Sequence, residues 1–250
     1  MTAAVLGVGR FGRLWAEILS KIFQVYVYDH NSTGALPPDV QVLPLSQVAR
    51  CDYVFLCVPI SALRDCLCQL SSYLQSGTVL IDTCSVKMYP AQCMRDLIAH
   101  DIHLIGTHPL FGPDSKKRAD PPVVLCKVRA DQKIYERFRI HIEQLGLVPV
   151  EMGEKEHDKL LAYTQGLTHL IGRVVHRLSL PSSSTHTIGY ALLQDLVEQT
   201  CNDSIDLFLD MQHYNEFSKY MRQHLTKAYE DIIYMIDEYT QPNHEQYKKR

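Results

Sequence analysis

The sequence predicts an α/β protein in which a Rossmann-type, mostly parallel sheet is followed by an all-helical second domain. Three observations predict it. Short apolar runs alternate with helical segments up to about residue 150, a glycine triplet follows the first run directly, and beyond Gly153 strands give way to long helical stretches. The boundary this implies divides a dinucleotide-binding domain over residues 1–152 from a helical domain over residues 153–250.

The runs at 3–6, 25–28, 53–58, 78–82, 103–106, 123–126 and 147–151 are apolar nearly throughout, as strands covered on both faces should be. Between them, residues 13–22, 61–73, 92–100 and 133–145 carry a 3.6-residue periodicity, while Pro37-Pro38 and Pro121-Pro122 mark loops. The second domain shows periodic stretches at 156–178, 189–212 and 214–239, with a break from Pro181 to Ser184. Residues 241–250 are polar and basic and are expected to fray.

At 250 residues the chain exceeds one average domain, and 46% hydrophobic with 21% charged residues is the composition of a globular protein with a real core. Twenty-five Lys and Arg against 28 Asp and Glu give a net charge of −3, which lacks the electrostatic footprint of a nucleic-acid or anionic-membrane binder. No apolar run approaches the roughly 18–20 residues of a membrane span. The chain opens directly on a strand-like run without a leader, so its eight cysteines read as reduced thiols of a cytoplasmic protein. The nearest cysteine pair is Cys66-x-Cys68 and no zinc spacing occurs, so no metal is expected.

The first strand runs into Gly7-Val8-Gly9-Arg10-Phe11-Gly12 and then a helix, the context that makes the glycine spacing a dinucleotide signal. Gly7 permits the tight turn, Gly9 lets backbone approach a pyrophosphate, and Gly12 lets helix pack on strand, with Arg10 and Phe11 at the helix start. Asp29 ends the second strand, where a carboxylate accepts from a ribose 2′-hydroxyl and repels a 2′-phosphate. His30 and Asn31 follow instead of an arginine, which favours NAD over NADP. Val58-Pro59 ends a later strand and is placed to flank the nicotinamide side of the crevice.

Two segments leave neighbouring strands at the carboxyl edge, where ligands bind in an open sheet: Asp82 to Lys87, and Gly106 to Pro113. Oxidation of a hydroxyl requires a base for the departing proton, and His108 is the candidate. The bland alternative is a proline-bracketed turn with His108 facing solvent. Ser85 is suited to hydrogen-bond the same hydroxyl or to orient His108, and Lys87 either holds a carboxylate or caps the loop.

These residues carry a resemblance that covers nearly the whole chain. The glycine motif, Val58-Pro59, Ser85-Val86-Lys87, Thr107-His108-Pro109-Leu110-Phe111-Gly112-Pro113, Glu156-His157-Asp158 and the stretch from Tyr163 through Gln165 to His169 together resemble the prephenate/arogenate dehydrogenases of tyrosine biosynthesis. The resemblance implies an NAD-dependent oxidative decarboxylation of prephenate to 4-hydroxyphenylpyruvate, or of arogenate to tyrosine. It also implies an active site between the two domains and a homodimer formed through the C-terminal helices. On it, His108 accepts the hydrogen bond from the ring hydroxyl, Ser85 positions that hydroxyl, and Gln165 and His169 line the substrate pocket, with Lys87 and Thr107 counted among the substrate contacts. No regulatory domain or fused mutase domain is expected in a chain of this length.

One departure stands out. The family carries an arginine on a helix of the second domain for the substrate's ring carboxylate, and an ungapped reading places that position near Glu198, with no arginine between Arg177 and Arg222. Either the alignment slips, or Arg173, Arg177, Lys159 or a partner-subunit residue does the job, or the substrate differs. A glutamate would repel a dianion and suit an amine, as in arogenate. The competing readings are a related two-domain dehydrogenase with another substrate, and a catalytically weak nucleotide-binding regulatory protein. His157, His169 and His176 lie on one predicted helix, where a histidine is more often a packed or capping residue than a catalyst, His169 gaining a role through the resemblance, while Tyr163, Tyr214, Tyr220, Tyr229 and Tyr234 read as core or interface aromatics.

Overall fold

The computed structural model describes residues 1–31, 34–114, 120–181 and 185–239. The terminal residues expected to fray, and Ser182 to Ser184 in the expected break, lie outside them.

Eight strands form one sheet: β1 (Thr2–Leu6), β2 (Gln24–Tyr28), β3 (Gln41–Val42), β4 (Tyr53–Leu56), β5 (Val79–Asp82), β6 (His103–Pro109), β7 (Pro122–Arg129) and β8 (Val148–Glu151). Their order is β3-β2-β1-β4-β5-β6-β7-β8, parallel except where β7 runs antiparallel to β6. The connections reverse direction beside β1, which makes the crevice above β1 and β4 the switch point where ligands bind such sheets. Two features escape the sequence reading: the two-residue edge strand β3 and the single-turn α2 (Leu45–Val48). Two spans are corrected. β6 continues through Pro109, so His108 sits in a strand and not in a turn, and Pro122 opens β7.

Helices cover both faces. On one, α1 (Arg10–Leu19) and α5 (Gln132–Gln144) bury Trp15, Leu19 and Phe138 against Val5, Val27, Phe55 and Ile105. On the other, α3 (Leu63–Leu70) and α4 (Met88–Leu97) bury Leu67, Leu70 and Met94 against Leu6, Leu56, Leu80 and Leu104. The alternation along each strand is thus apolar both ways, which explains the unbroken apolar runs. Trp15 stacks on Phe11 at 5.7 Å between ring centroids and lies 6.3 Å from Phe111, tying the start of α1 to the chain that leaves β6.

After β8 the described chain is helical: α6 (Glu154–Leu161), a π-helical turn (Ala162–Gly166), α7 (Leu167–Arg177), α8 (Ile188–Cys201), α9 (Ile205–Tyr214) and α10 (Ser218–Tyr239). The periodic stretch 189–212 is two helices, because Ser204 starts a new one by accepting from Leu207 N–H at 3.2 Å. Gly172 lets α7 and α8 meet closely, since a Cβ there would collide with the Thr200 hydroxyl. No helix among the described residues is long and apolar enough to cross a membrane.

Candidate active site

A cleft of about 880 Å³ opens between the carboxyl edge of the sheet and helices α6 to α9. On the sheet side it is walled by Gly9, Arg10, Phe11 and Gly12, by Val58 and Pro59, and by Ser85 and His108. The glycine motif has the geometry its spacing implies. Gly7 has φ +93°, a left-handed conformation that a side chain would strain, and a Cβ on it would strike the Cys57 carbonyl. A Cβ on Gly12 would strike the Gly7 carbonyl, whereas one on Gly9 would meet nothing within 4 Å. The open space at Gly9 is where a pyrophosphate fits, and no side chain caps the N-terminus of α1 behind it.

Asp29 lies behind this loop and not on the cleft wall. Its Oδ2 accepts from Val8 N–H at 2.6 Å and its Oδ1 from Asn31 N–H at 2.9 Å. The carboxylate therefore shapes the loop, and its oxygens keep acceptor capacity for ribose hydroxyls. Arg10 reaches the other way, pairing with Asp114 and donating to the Asn202 carbonyl at 3.1 Å, so the glycine loop is tied to the α8–α9 junction.

His108 is buried at the end of β6 with its ring at the cleft. Its Nδ1 lies 3.0 Å from His157 Nε2, and His157 Nδ1 lies 2.8 Å from Asp158 Oδ1. Asp158 also accepts from Lys87 N–H at 2.7 Å and Met88 N–H at 2.9 Å, capping α4 from a different element. Burial holds His108 well below the usual histidine range, with His157 and the Lys87 ammonium adding to the effect. His157 is lowered by burial too, against the opposing pull of Asp158.

Lys87 and Thr107, expected to touch substrate, are not on the cleft wall. Lys87 is fully buried, paired with Asp82 and donating at 2.5 Å to the Thr107 carbonyl, while the Thr107 hydroxyl donates to the Asp82 carbonyl at 2.8 Å. Burial pushes the Asp82 carboxyl up and the Lys87 ammonium pulls it back. Their joint effect is to fasten the Asp82-to-Lys87 segment to β6 beside His108. A charge placed there for substrate would first have to leave a buried partner.

The opposite wall comes from the helices. The π-helical turn and α7 present Gln165, Thr168 and His169, α8 presents Leu196, Gln199 and Thr200, and α9 with the residues before it presents Asp203, Asp206 and Asp210. Gln212 braces the turn by donating to the Gly166 carbonyl at 2.9 Å. Among the described residues Ser85 Oγ, Gln165 Oε1 and His169 Nδ1 are buried with no hydrogen-bond partner, three unspent polar groups around one cavity. Asp210 accepts from Ser61 N–H and Oγ at 3.0 and 2.9 Å, and Asp203 lies 3.9 Å from His169 Nε2. Sequence reasoning missed these carboxylates, since which side of α9 faces the cleft depends on packing. It weighed His157 but not Asp158, although a histidine next to an aspartate was visible.

Of the substitutes expected for the missing arginine, Arg173, Arg177 and Lys159 do not line the cleft. Arg173 donates to the Asp203 carbonyl at 2.7 Å and lies over Phe208, Lys159 lies over Phe217, and Arg177 and Glu198 are exposed. Arg10 is the one arginine or lysine among the described lining residues. No group of three metal-ligating side chains occurs among the described residues.

Comparison with known proteins agrees with this architecture. Residues 24–135 match the family described as prephenate dehydrogenase, nucleotide-binding domain, and residues 174–248 match a TYRAAT1-like C-terminal domain. The chain is 31% identical over 263 residues to Arogenate dehydrogenase 2, chloroplastic, of Arabidopsis thaliana, covering 99% of this chain and 72% of that protein. Arogenate dehydrogenase 1, chloroplastic, of the same plant is 29% identical, with 92% of this chain and 38% of that protein covered. The crystal structure of Synechocystis arogenate dehydrogenase superposes with a TM-score of 0.71 at 18% identity, over 98% of this chain and 95% of that one. A prephenate dehydrogenase from A. aeolicus, in complex with hydroxyphenyl propionate and NAD+, gives 0.72 at 18% identity, over 96% and 90%. At that identity the two structures speak for the fold.

Proposed function

The chain belongs to the prephenate/arogenate dehydrogenase family, and from that premise we propose that it catalyses the NAD-dependent oxidative decarboxylation of arogenate to tyrosine. The observation that carries the choice of arogenate is the charge of the cleft among the described residues: Asp114, Asp203, Asp206 and Asp210 line it, and the one described lining arginine, Arg10, is paired with Asp114. An amino-acid side chain brings an ammonium to such a wall, where the keto acid prephenate brings only negative charge. The names of the plant relatives point the same way.

When bound, NAD supplies the hydride acceptor. The Gly7, Gly9 and Gly12 loop is the site for its pyrophosphate, Asp29 for its ribose, and Val58-Pro59 for the nicotinamide side; a 2′-phosphate would meet the Asp29 carboxylate. His108 takes the proton from the ring hydroxyl as that oxygen becomes attached to an aromatic carbon, and Ser85 Oγ, otherwise unpartnered, steers the hydroxyl toward it. The bond from the ring to its carboxylate breaks, releasing carbon dioxide and leaving its electron pair in the ring. Gln165 and His169 present unspent polar atoms to the substrate from the far wall. General-base catalysis of this kind contributes about 10²–10⁴-fold.

The test is NADH formation with purified protein, NAD and either arogenate or prephenate. Turnover is expected on arogenate, with prephenate at least tenfold poorer in kcat/KM, about 1.4 kcal/mol of discrimination. Better turnover of prephenate overturns the substrate assignment, and silence on both overturns the function.

The same reading includes a homodimer. In α10 the last three turns expose Tyr229, Ile232, Ile233 and Ile236 at helical spacing, together with Met235, and α8 exposes Ile188 and Leu192, apolar side chains of the kind a partner covers. Light scattering is expected to give twice the chain mass, and a monomer at micromolar concentration would remove the dimer.

A further inference from the structure

The reaction proposed above uses His108 and leaves His157 and Asp158 without a part, although both are fully buried. A buried carboxylate and imidazole are costly unless their hydrogen bonds are specified. Here they are specified completely. Asp158 is an acceptor only, and backbone N–H groups of Lys87 and Met88 hold it so. The proton between it and His157 therefore belongs to His157 Nδ1, which leaves His157 Nε2 as a lone pair. That lone pair faces His108 Nδ1 at 3.0 Å, so the His108 proton must sit on Nδ1, and His108 Nε2 is left bare. In the opposite tautomer His108 Nε2 would carry a proton and could accept none.

We propose that Asp158 is a positioning residue which, through His157, fixes His108 in the one neutral tautomer able to take the substrate's proton. This rests on the dehydrogenase reading. In the step itself the substrate O–H bond breaks, its proton forms a bond to the His108 Nε2 lone pair, and the electron pair stays on the substrate oxygen. The imidazolium so formed donates from Nδ1 to His157, whose Nδ1–H donates to the Asp158 carboxylate, and no proton has to leave the chain of rings. Among the described residues the Lys87 ammonium is the further charge acting on both rings, and it is paired with the Asp82 carboxylate. Asp158 belongs to α6, outside the sheet, and its carbonyl is held by Asn215 Nδ2 at 2.8 Å. The base is thus set correctly only while helix and sheet are docked.

Nitrogen-15 NMR of the full chain labelled at histidine tests this without turnover. His108 and His157 are both expected to show a protonated Nδ1 and a bare Nε2 at neutral pH; a protonated Nε2 on His108 overturns the proposal. Asp158→Leu, of similar size, removes the acceptor that holds the proton on His157 Nδ1, so neither ring is fixed. It is expected to lower kcat by about 10²-fold or more while leaving KM and NAD affinity nearly unchanged. His157→Gln can still accept from His108 and donate to Asp158, so it should keep activity within about tenfold of the parent, whereas His157→Leu should fall as far as Asp158→Leu. Equal losses in the Gln and Leu variants overturn the relay. An inactive parent with the expected tautomers would count against the proposed function and not against the arrangement of the rings.

Discussion

Replacing His108 by asparagine is expected to lower kcat by about 10²–10⁴-fold with little change in NAD affinity. The side chain sits at the end of β6, its Nδ1 consumed by His157 and its other nitrogen at the cleft. Asparagine fills a similar volume and can still meet His157, so the fold has no reason to fail, but it offers no base. The pH profile gives a second, independent readout. Burial lowers the His108 pKa well below 6.5, so the ring is neutral and competent at neutral pH. The parent should therefore keep a flat kcat/KM through neutrality and lose activity only as pH falls through a midpoint below 6.5. In His108→Asn that acid limb should vanish. An unchanged limb in the variant, or a loss below tenfold, would show that another group takes the proton.

The second large effect is on stability. Lys87→Met is expected to destabilise the protein by about 3–5 kcal/mol, because it leaves the fully buried Asp82 carboxylate without its cation. The site is also where Asp82 receives the Cys84 N–H at 3.0 Å and where the Thr107 carbonyl loses its Lys87 donor. Methionine matches the length of the lysine stem, so a cavity is not the cause. Adding Asp82→Leu to Lys87→Met should recover much of the loss, since an apolar pair of similar volume commonly replaces a buried ion pair at little cost. Urea midpoints of parent, single and double variants measure this. A single-variant loss under about 1 kcal/mol would mean that water reaches the pair.

The contrast between these two residues shows how far the sequence could be read. Both stood out in neighbouring segments at the carboxyl edge, and the strand pattern placed those segments correctly. What it could not place was the direction of a side chain. Lys87 turns inward because Asp82, five residues earlier, ends the buried β5, and no spacing rule distinguishes that from a lysine facing substrate. Glu198 illustrates the same limit on a helix. An ungapped alignment puts it where an arginine should be, yet successive helical residues differ by about 100°, so Gln199 and Thr200 face the cleft and Glu198 faces solvent. The edge strand β3 and the single-turn α2 were missed because two and four residues are too short to show a period. The break between α8 and α9 was hidden by apolar residues on both sides, although Ser204 is a good helix-starting residue. The glycine loop, by contrast, was legible, since Gly7 and Gly12 answer local steric demands and Gly9 leaves open space between them.

The Arg10 bridge to the α8–α9 junction has a consequence for how this protein can change over generations. The helical side's hydrogen bond comes from a main-chain carbonyl at Asn202, and every amino acid supplies that atom. Position 202 is therefore free to drift without loosening the bond, and a scan of side chains there would overlook the crossing altogether. The burden falls on the sheet side, on Arg10 and on the Asp114 that shares it. A hydrogen bond written half in backbone is inherited from the fold more than from the residue, and only its Arg10 end can be lost by point mutation.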